Sequence, residues 1–134
     1  MTILIAAALL AAPAFTPVER PAAARAAGCR MQGSRIINEC GVTAGQIGFE
    51  RQDLDGDDVA ETIVSDGGGC HGNGGSMFVV LKRNRRGRLA PVLSAQGVMV
   101  VRETRHGGWT DSEIGGPGFG TMPVARWNGA RYVY

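Results

Sequence analysis

The chain lacks the short patterns that carry a hydrolytic nucleophile or a metal-bound base. It contains no G-x-S-x-G, no H-E-x-x-H and no paired-acid arrangement. Its histidines are two, His71 and His106, and its three cysteines include no C-x-x-C, so the usual zinc donor sets are missing. Beyond the first residues no apolar run is long enough to cross a membrane. Formal net charge is only +2, and removing Glu19, Arg20 and Arg25 with a leader leaves a near-neutral domain. The one basic run, Lys82 to Arg88 (KRNRRGR), has no interleaved aromatics and lies between two apolar strands. It reads as a solvated hairpin tip, with an anion patch as the alternative, and nucleic acid is not expected as a partner.

What is present is an acidic loop. DLDGDDVAE, Asp53 to Glu61, places carboxylates at Asp53, Asp55, Asp57 and Glu61, positions 1, 3, 5 and 9 of a nine-residue segment. Like charges this close repel unless a cation neutralises them. Ca²⁺ suits them, because it takes several oxygens in a flexible geometry, including a backbone carbonyl, here that of Val59 at position 7. Gly56 eases the turn that lets the first three acids converge. A solvated acidic turn between two strands is the plain alternative.

The flanks decide which calcium motif this is. Gln46 to Gln52 alternates like a strand, and Glu61 to Asp66 (ETIVSD) is a β-branched run. An EF-hand requires flanking helices and a Glu at position 12, where this chain has Val64. Phe49 to Ser65 instead resembles the calcium hairpin of FG-GAP or VCBS-type repeats, whose loop reads D-x-D-G-D-G-x-x-D before an apolar strand. Two positions depart from that pattern. Asp58 stands where the family carries a glycine in a left-handed backbone, and Glu61 replaces the closing Asp; both predict weakened affinity. No second D-x-D-G occurs, and a propeller needs typically four or more blades, so one is excluded. GGWTDSEIGGPGF followed by PVARWNGARYVY is similar to the tail of small exported bacterial proteins of unknown function, a resemblance that speaks to fold and compartment rather than activity.

Ile3 to Ala12 (ILIAAALLAA) has the length and apolarity of a signal peptide, followed by small-residue cleavage motifs at Ala12-Pro13-Ala14 and Ala24-Arg25-Ala26. Pro13, Pro17 and Pro21 argue against a continuing helix. The expected organisation is a signal peptide and linker over 1–26 and a single β-domain over 27–134, periplasmic or secreted. An oxidising compartment favours cysteine pairing. The expected bridge is Cys29–Cys40, leaving Cys70 free; the second scheme lipidates Cys29 at a degenerate lipobox and pairs Cys40 with Cys70.

The remainder reads as strand and turn: Met77 to Arg83, Leu89 to Leu93, Val98 to Arg102, Thr121 to Trp127 and Arg131 to Tyr134, the last two flanking an Asn128-Gly129 hairpin signal. Gly67 to Gly75 and Gly107 to Gly120 read as long loops. The fold class expected is an all-β antiparallel meander of about six to eight short strands. Trp109, Trp127 and Tyr132 read as packing aromatics, with a carbohydrate platform of Trp109 and Trp127 as the functional alternative. The expected function is a non-enzymatic, Ca²⁺-stabilised binding module for an envelope or extracellular protein or glycan. The alternatives are a small hydrolase using His71 or His106 beside Asp66 or Asp111, and an enzyme inhibitor.

Overall fold

A computed structural model describes residues 15–41, 47–67, 77–115, 120 and 122–134. Among these residues, ten strands and one short helix, α1 (Glu19–Ala26), make an all-β domain. β1 (Arg30–Gln32) and β2 (Arg35–Ile37) form a small hairpin. β3 (Ile47–Gln52), β4 (Glu61–Asp66), β5 (Met77–Arg83) and β6 (Leu89–Gln96) form one antiparallel sheet in chain order. β7 (Val98–His106), β8 (Trp109–Gly115), β9 (Val124–Trp127) and β10 (Tyr132–Val133) form a second. Gly97 alone joins β6 to β7. Its φ of +107° and the 2.6 Å separating an added Cβ from the Gly115 carbonyl oxygen restrict this link to glycine.

Alternation along β4 and β5 sorts the core into two layers. Ile63, Phe78 and Val80, with Leu93 and Ala95 of β6, meet Trp109, Ile114, Ala125 and Tyr132 of the second sheet. Val64, Val79 and Leu81 point the other way, onto Ala23, Ala26 and Ala27 in and beside α1. The first sheet is therefore covered on both faces, which is why FVVL in β5 is a continuous apolar run rather than an alternating one.

Several expectations change here. α1 lies in the stretch read as leader and linker. Pro21 sits in its first turn, where a missing N–H costs nothing, so it starts this helix rather than ending one. The Thr16 hydroxyl accepts the Glu19 N–H at 3.1 Å, and the Cys29 N–H bonds the Ala24 carbonyl beyond the last turn. The strands outnumber those expected because β1 and β2 are only three residues long and β8 had been read as loop. β8 is the central, almost wholly buried strand between β7 and β9, yet its residues WTDSEIG are half polar, which hides it from an apolar count. The Asn128-Gly129 hairpin forms with a four-residue connection, since Tyr132 pairs with Trp127. Asn128 Oδ1 accepts the Ala130 and Arg131 N–H groups across it.

The expected Cys29–Cys40 bridge is absent: Cys29 is a free thiol, while Cys40 is disulfide-bonded. Cys70, with His71 and residues 1–14, lies outside the described residues.

Candidate metal centre

The acidic loop connects β3 to β4 at one end of the first sheet, and its alternation has two faces. Leu54, between Asp53 and Asp55, is fully buried in the core between the sheets. Its carbonyl accepts the Thr110 N–H of β8 at 2.8 Å, and its N–H donates to Glu61 Oε2 at 2.6 Å. Leu54 thus pins the loop to the second sheet while the neighbouring acids turn outward. The alternating D-L-D, an apolar residue between two acids, is the sequence signal for this anchor.

Backbone N–H groups then order the acids. Asp53 accepts Gly56 at 2.9 Å and Asp58 at 3.0 Å; Asp55 accepts Asp57 at 3.2 Å; Asp57 accepts Val59 at 2.9 Å. Gly56 (φ +75°) and Asp58 (φ +65°) both take the left-handed conformation, Asp58 alone among described non-glycine residues. Asp58 thus holds, at a modest strain, a backbone that glycine takes freely.

Asp53, Asp55, Asp57 and Glu61 each offer one carboxylate oxygen such that all four lie within 4.8 Å of one another. Oxygens on opposite sides of a Ca²⁺ ion stand about 5 Å apart, given ligand distances of about 2.3–2.6 Å, so the four oxygens fit such an ion. Val59, the fifth expected ligand, sits on the rim with its side chain exposed and its N–H on Asp57.

A cation already reaches this cluster. Lys82 Nζ lies 2.5 Å from Asp55, 3.6 Å from Asp57 and 3.6 Å from Glu61, and 5.2 Å from the Trp109 ring centroid. Lys82 lies in β5, the expected strand Met77 to Arg83, and only the rest of the basic run forms the tip, Asn84 to Arg88, organised by Asn84 Oδ1 accepting the Arg86 and Arg88 N–H groups.

The ionisation of the cluster follows from this arrangement. The hydrogen bond to Asp55 holds the Lys82 ammonium above its usual range against desolvation. Burial pushes Glu61 up, outweighing the Leu54 N–H and the lysine. Partial desolvation raises Asp53, but the Asp58 and Gly56 N–H groups more than offset it, and the carboxyl lies below its ordinary range. Asp57 is lowered by Asp55 and by the Val59 N–H. One ammonium faces four carboxylates, so negative charge remains in excess. Asp57, Glu61 and Lys82 open onto a groove of about 760 Å³ between α1 and the first sheet, walled by Val18, Ala22 and Leu89.

The second sheet carries a different constellation. His106 Nδ1 lies 2.7 Å from Asp111 Oδ1, and the Thr104 hydroxyl donates to Asp111 Oδ2 at 2.7 Å. Asp111 is 2 % exposed and His106 half exposed. Among the described residues no serine, threonine or cysteine bonds the other imidazole nitrogen. Asp66 is buried and accepts Asn38 Nδ2 at 3.2 Å. Trp109 and Trp127 stack on each other at 3.8 Å, with Tyr132 edge-on to both. Trp109 is buried and one face of its ring is covered, so the pair does not form the open carbohydrate platform considered above. Compared with known proteins, the chain matches no family model, no curated protein and no solved structure.

Proposed function

We propose that the domain is an exported, calcium-stabilised binding module, periplasmic or secreted, in which a hairpin of the FG-GAP or VCBS kind is clasped by one Ca²⁺. The carrying observation is the convergence of four carboxylate oxygens within 4.8 Å at a point a lysine ammonium already approaches. Asp53, Asp55, Asp57 and Glu61, with the Val59 carbonyl, would hold the ion. Calcium would supply charge neutralisation that one lysine leaves incomplete, and would fix the loop between the sheets. The left-handed Asp58 and the partial occupation by Lys82 argue for modest affinity, of the order suited to millimolar extracellular calcium. Scanning calorimetry tests the proposal: the melting temperature should rise from EDTA to millimolar Ca²⁺, and not with equal ionic strength of Na⁺. An unchanged transition removes the calcium reading.

One observation favours a second reading, a small hydrolase. The Asp111 carboxylate stands behind an accessible His106 imidazole, the arrangement that orients a general base. Loss of hydrolysis of a model ester or phosphoester panel in His106→Ala, with the fold intact, would support it. No turnover by the parent protein would dismiss it for those substrates.

A further inference from the structure

Of the small-residue motifs that precede the β-domain, Ala12-Pro13-Ala14 and Ala24-Arg25-Ala26 both satisfy a signal peptidase by sequence. The structure treats them very differently. The second lies inside α1, where Ala24 is fully buried and Ala26 packs on the apolar face of the first sheet. Removing residues through Ala26 would strip that face. Val64, Val79 and Leu81, now 3 %, 6 % and 0 % exposed, would meet solvent, together with Phe49 and Leu89 packed beside them. Such a patch on an exported domain is an aggregation liability.

Phe15, which follows the first motif in sequence, is already packed on the first sheet. The Arg51 guanidinium lies 3.9 Å from the Phe15 ring centroid, and Phe15 meets Phe49 at 5.5 Å. The Thr16 hydroxyl accepts the Glu19 N–H, Glu19 pairs with Arg51, and Arg20 lies over the Phe49 ring at 4.9 Å. At its other end the helix is closed by the Ala27, Gly28 and Cys29 N–H groups. Both ends of the Phe15–Cys29 segment are thus tied down, the first to the sheet and the last to the helix it follows.

We infer that export processing follows Ala14, that the mature protein begins at Phe15, and that α1 is a permanent layer of the domain. This rests on the export reading and moves the mature start upstream from the 26/27 boundary. It also excludes lipidation of Cys29, because a lipid-bearing cysteine must be the first residue of the mature chain. Here Cys29 stays joined to Gly28, and its N–H bonds the Ala24 carbonyl at 2.9 Å.

The test expresses the full chain with a C-terminal tag in a Gram-negative host and reads the N-terminus by intact mass and sequencing in each cell fraction. The expected product is a soluble periplasmic species starting at Phe15, and Ala14→Leu should make the precursor accumulate. A product starting at Ala27, or a membrane-bound species with lipid on Cys29, would overturn the inference while leaving export intact. An unprocessed chain confined to the cytoplasm would overturn both. As a processing-independent check, chains starting at Phe15 and at Ala27 are compared in thermal melts and by sizing. The shorter should melt lower and self-associate, and equal behaviour would refute the structural role of α1.

Discussion

The domain holds carboxylates in two ways, and the contrast separates a site from a strut. At the loop between β3 and β4, four acids converge and are met by one lysine, leaving charge in excess. On β8, one acid, Asp111, is as buried as Glu61 of the loop but is matched on both oxygens by Thr104 and His106. In the first arrangement the excess charge is what the proposed Ca²⁺ would neutralise. The second is complete with the side chains it has. Acid count and burial therefore do not mark a ligand site by themselves; the calcium proposal rests on the unbalanced remainder.

The largest expected effect breaks the mechanical side of this comparison. Leu54 is the fully buried anchor that brings the acids to the second sheet. Leu54→Ala should cost about 2–5 kcal/mol in urea unfolding, through lost burial and a cavity between the sheets. It should also abolish any calcium-dependent rise in melting temperature, because the loop no longer has a fixed platform. A variant that is destabilised yet keeps the full calcium response would show that the loop organises itself.

Asp111 tests the balanced side. Asp111→Ala leaves the Thr104 hydroxyl and His106 imidazole without their acceptor, at a cost of about 1–3 kcal/mol. His106→Ala should cost less, because the imidazole is half exposed and water replaces its carboxylate contact. Denaturant midpoints of the two variants check the order, and neither should alter a calcium response if the two stations are independent.

Much of this was legible in the residues, and what was not has identifiable physics. The apolar runs of β4 and β5 gave their strands directly, because both faces of that sheet are covered. The acids at alternate positions disclosed the loop cluster, and the D-x-D-G spacing its turn. β8 was missed because buried Thr110, Asp111 and Ser112 occupy strand positions where an apolar residue is expected. Lys82 was missed as a site residue because its charge run extends into the hairpin tip, and only the pairing with β4 turns it toward the acids. α1 was missed because alanines beside prolines read as a linker, whereas small side chains are what let the helix lie close on Val64, Val79 and Leu81.

Lys82 sharpens the comparison by exchanging sign with conditions. In EDTA, Lys82→Gln removes the only ammonium among the acids and should lower stability, by about 1 kcal/mol or less for a side chain that is one-third exposed. In millimolar Ca²⁺ the same change removes a competitor for the acids, so the calcium-induced rise in melting temperature should be larger than in the parent. Calorimetric titration should likewise give tighter binding. A variant that is weaker under both conditions would make Lys82 part of the site rather than its rival.

The smallest effect distinguishes the two stations by pH, in the absence of calcium. Burial raises Asp111, but the Thr104 and His106 hydrogen bonds outweigh it, so its folded carboxyl titrates below the ordinary aspartate range. Its stabilisation is present above about pH 4, the unfolded range, and is lost as pH falls through the lower folded value. Glu61 has the opposite sign, because burial holds its folded carboxyl above the ordinary range near pH 4.3. The folded state then binds the extra proton, so this contribution is fully present below the unfolded value and disappears as pH rises through the folded one. Glu61→Gln should therefore gain stability relative to the parent on going from pH 4 to pH 7 in EDTA, while Asp111→Asn loses it. Ca²⁺ favours the charged form of Glu61, so adding it should cancel the gain of the first variant and leave the loss of the second unchanged. Parallel pH profiles for the two variants would show that the acidic loop is as well balanced as the buried Asp111, and that no cation is missing from it.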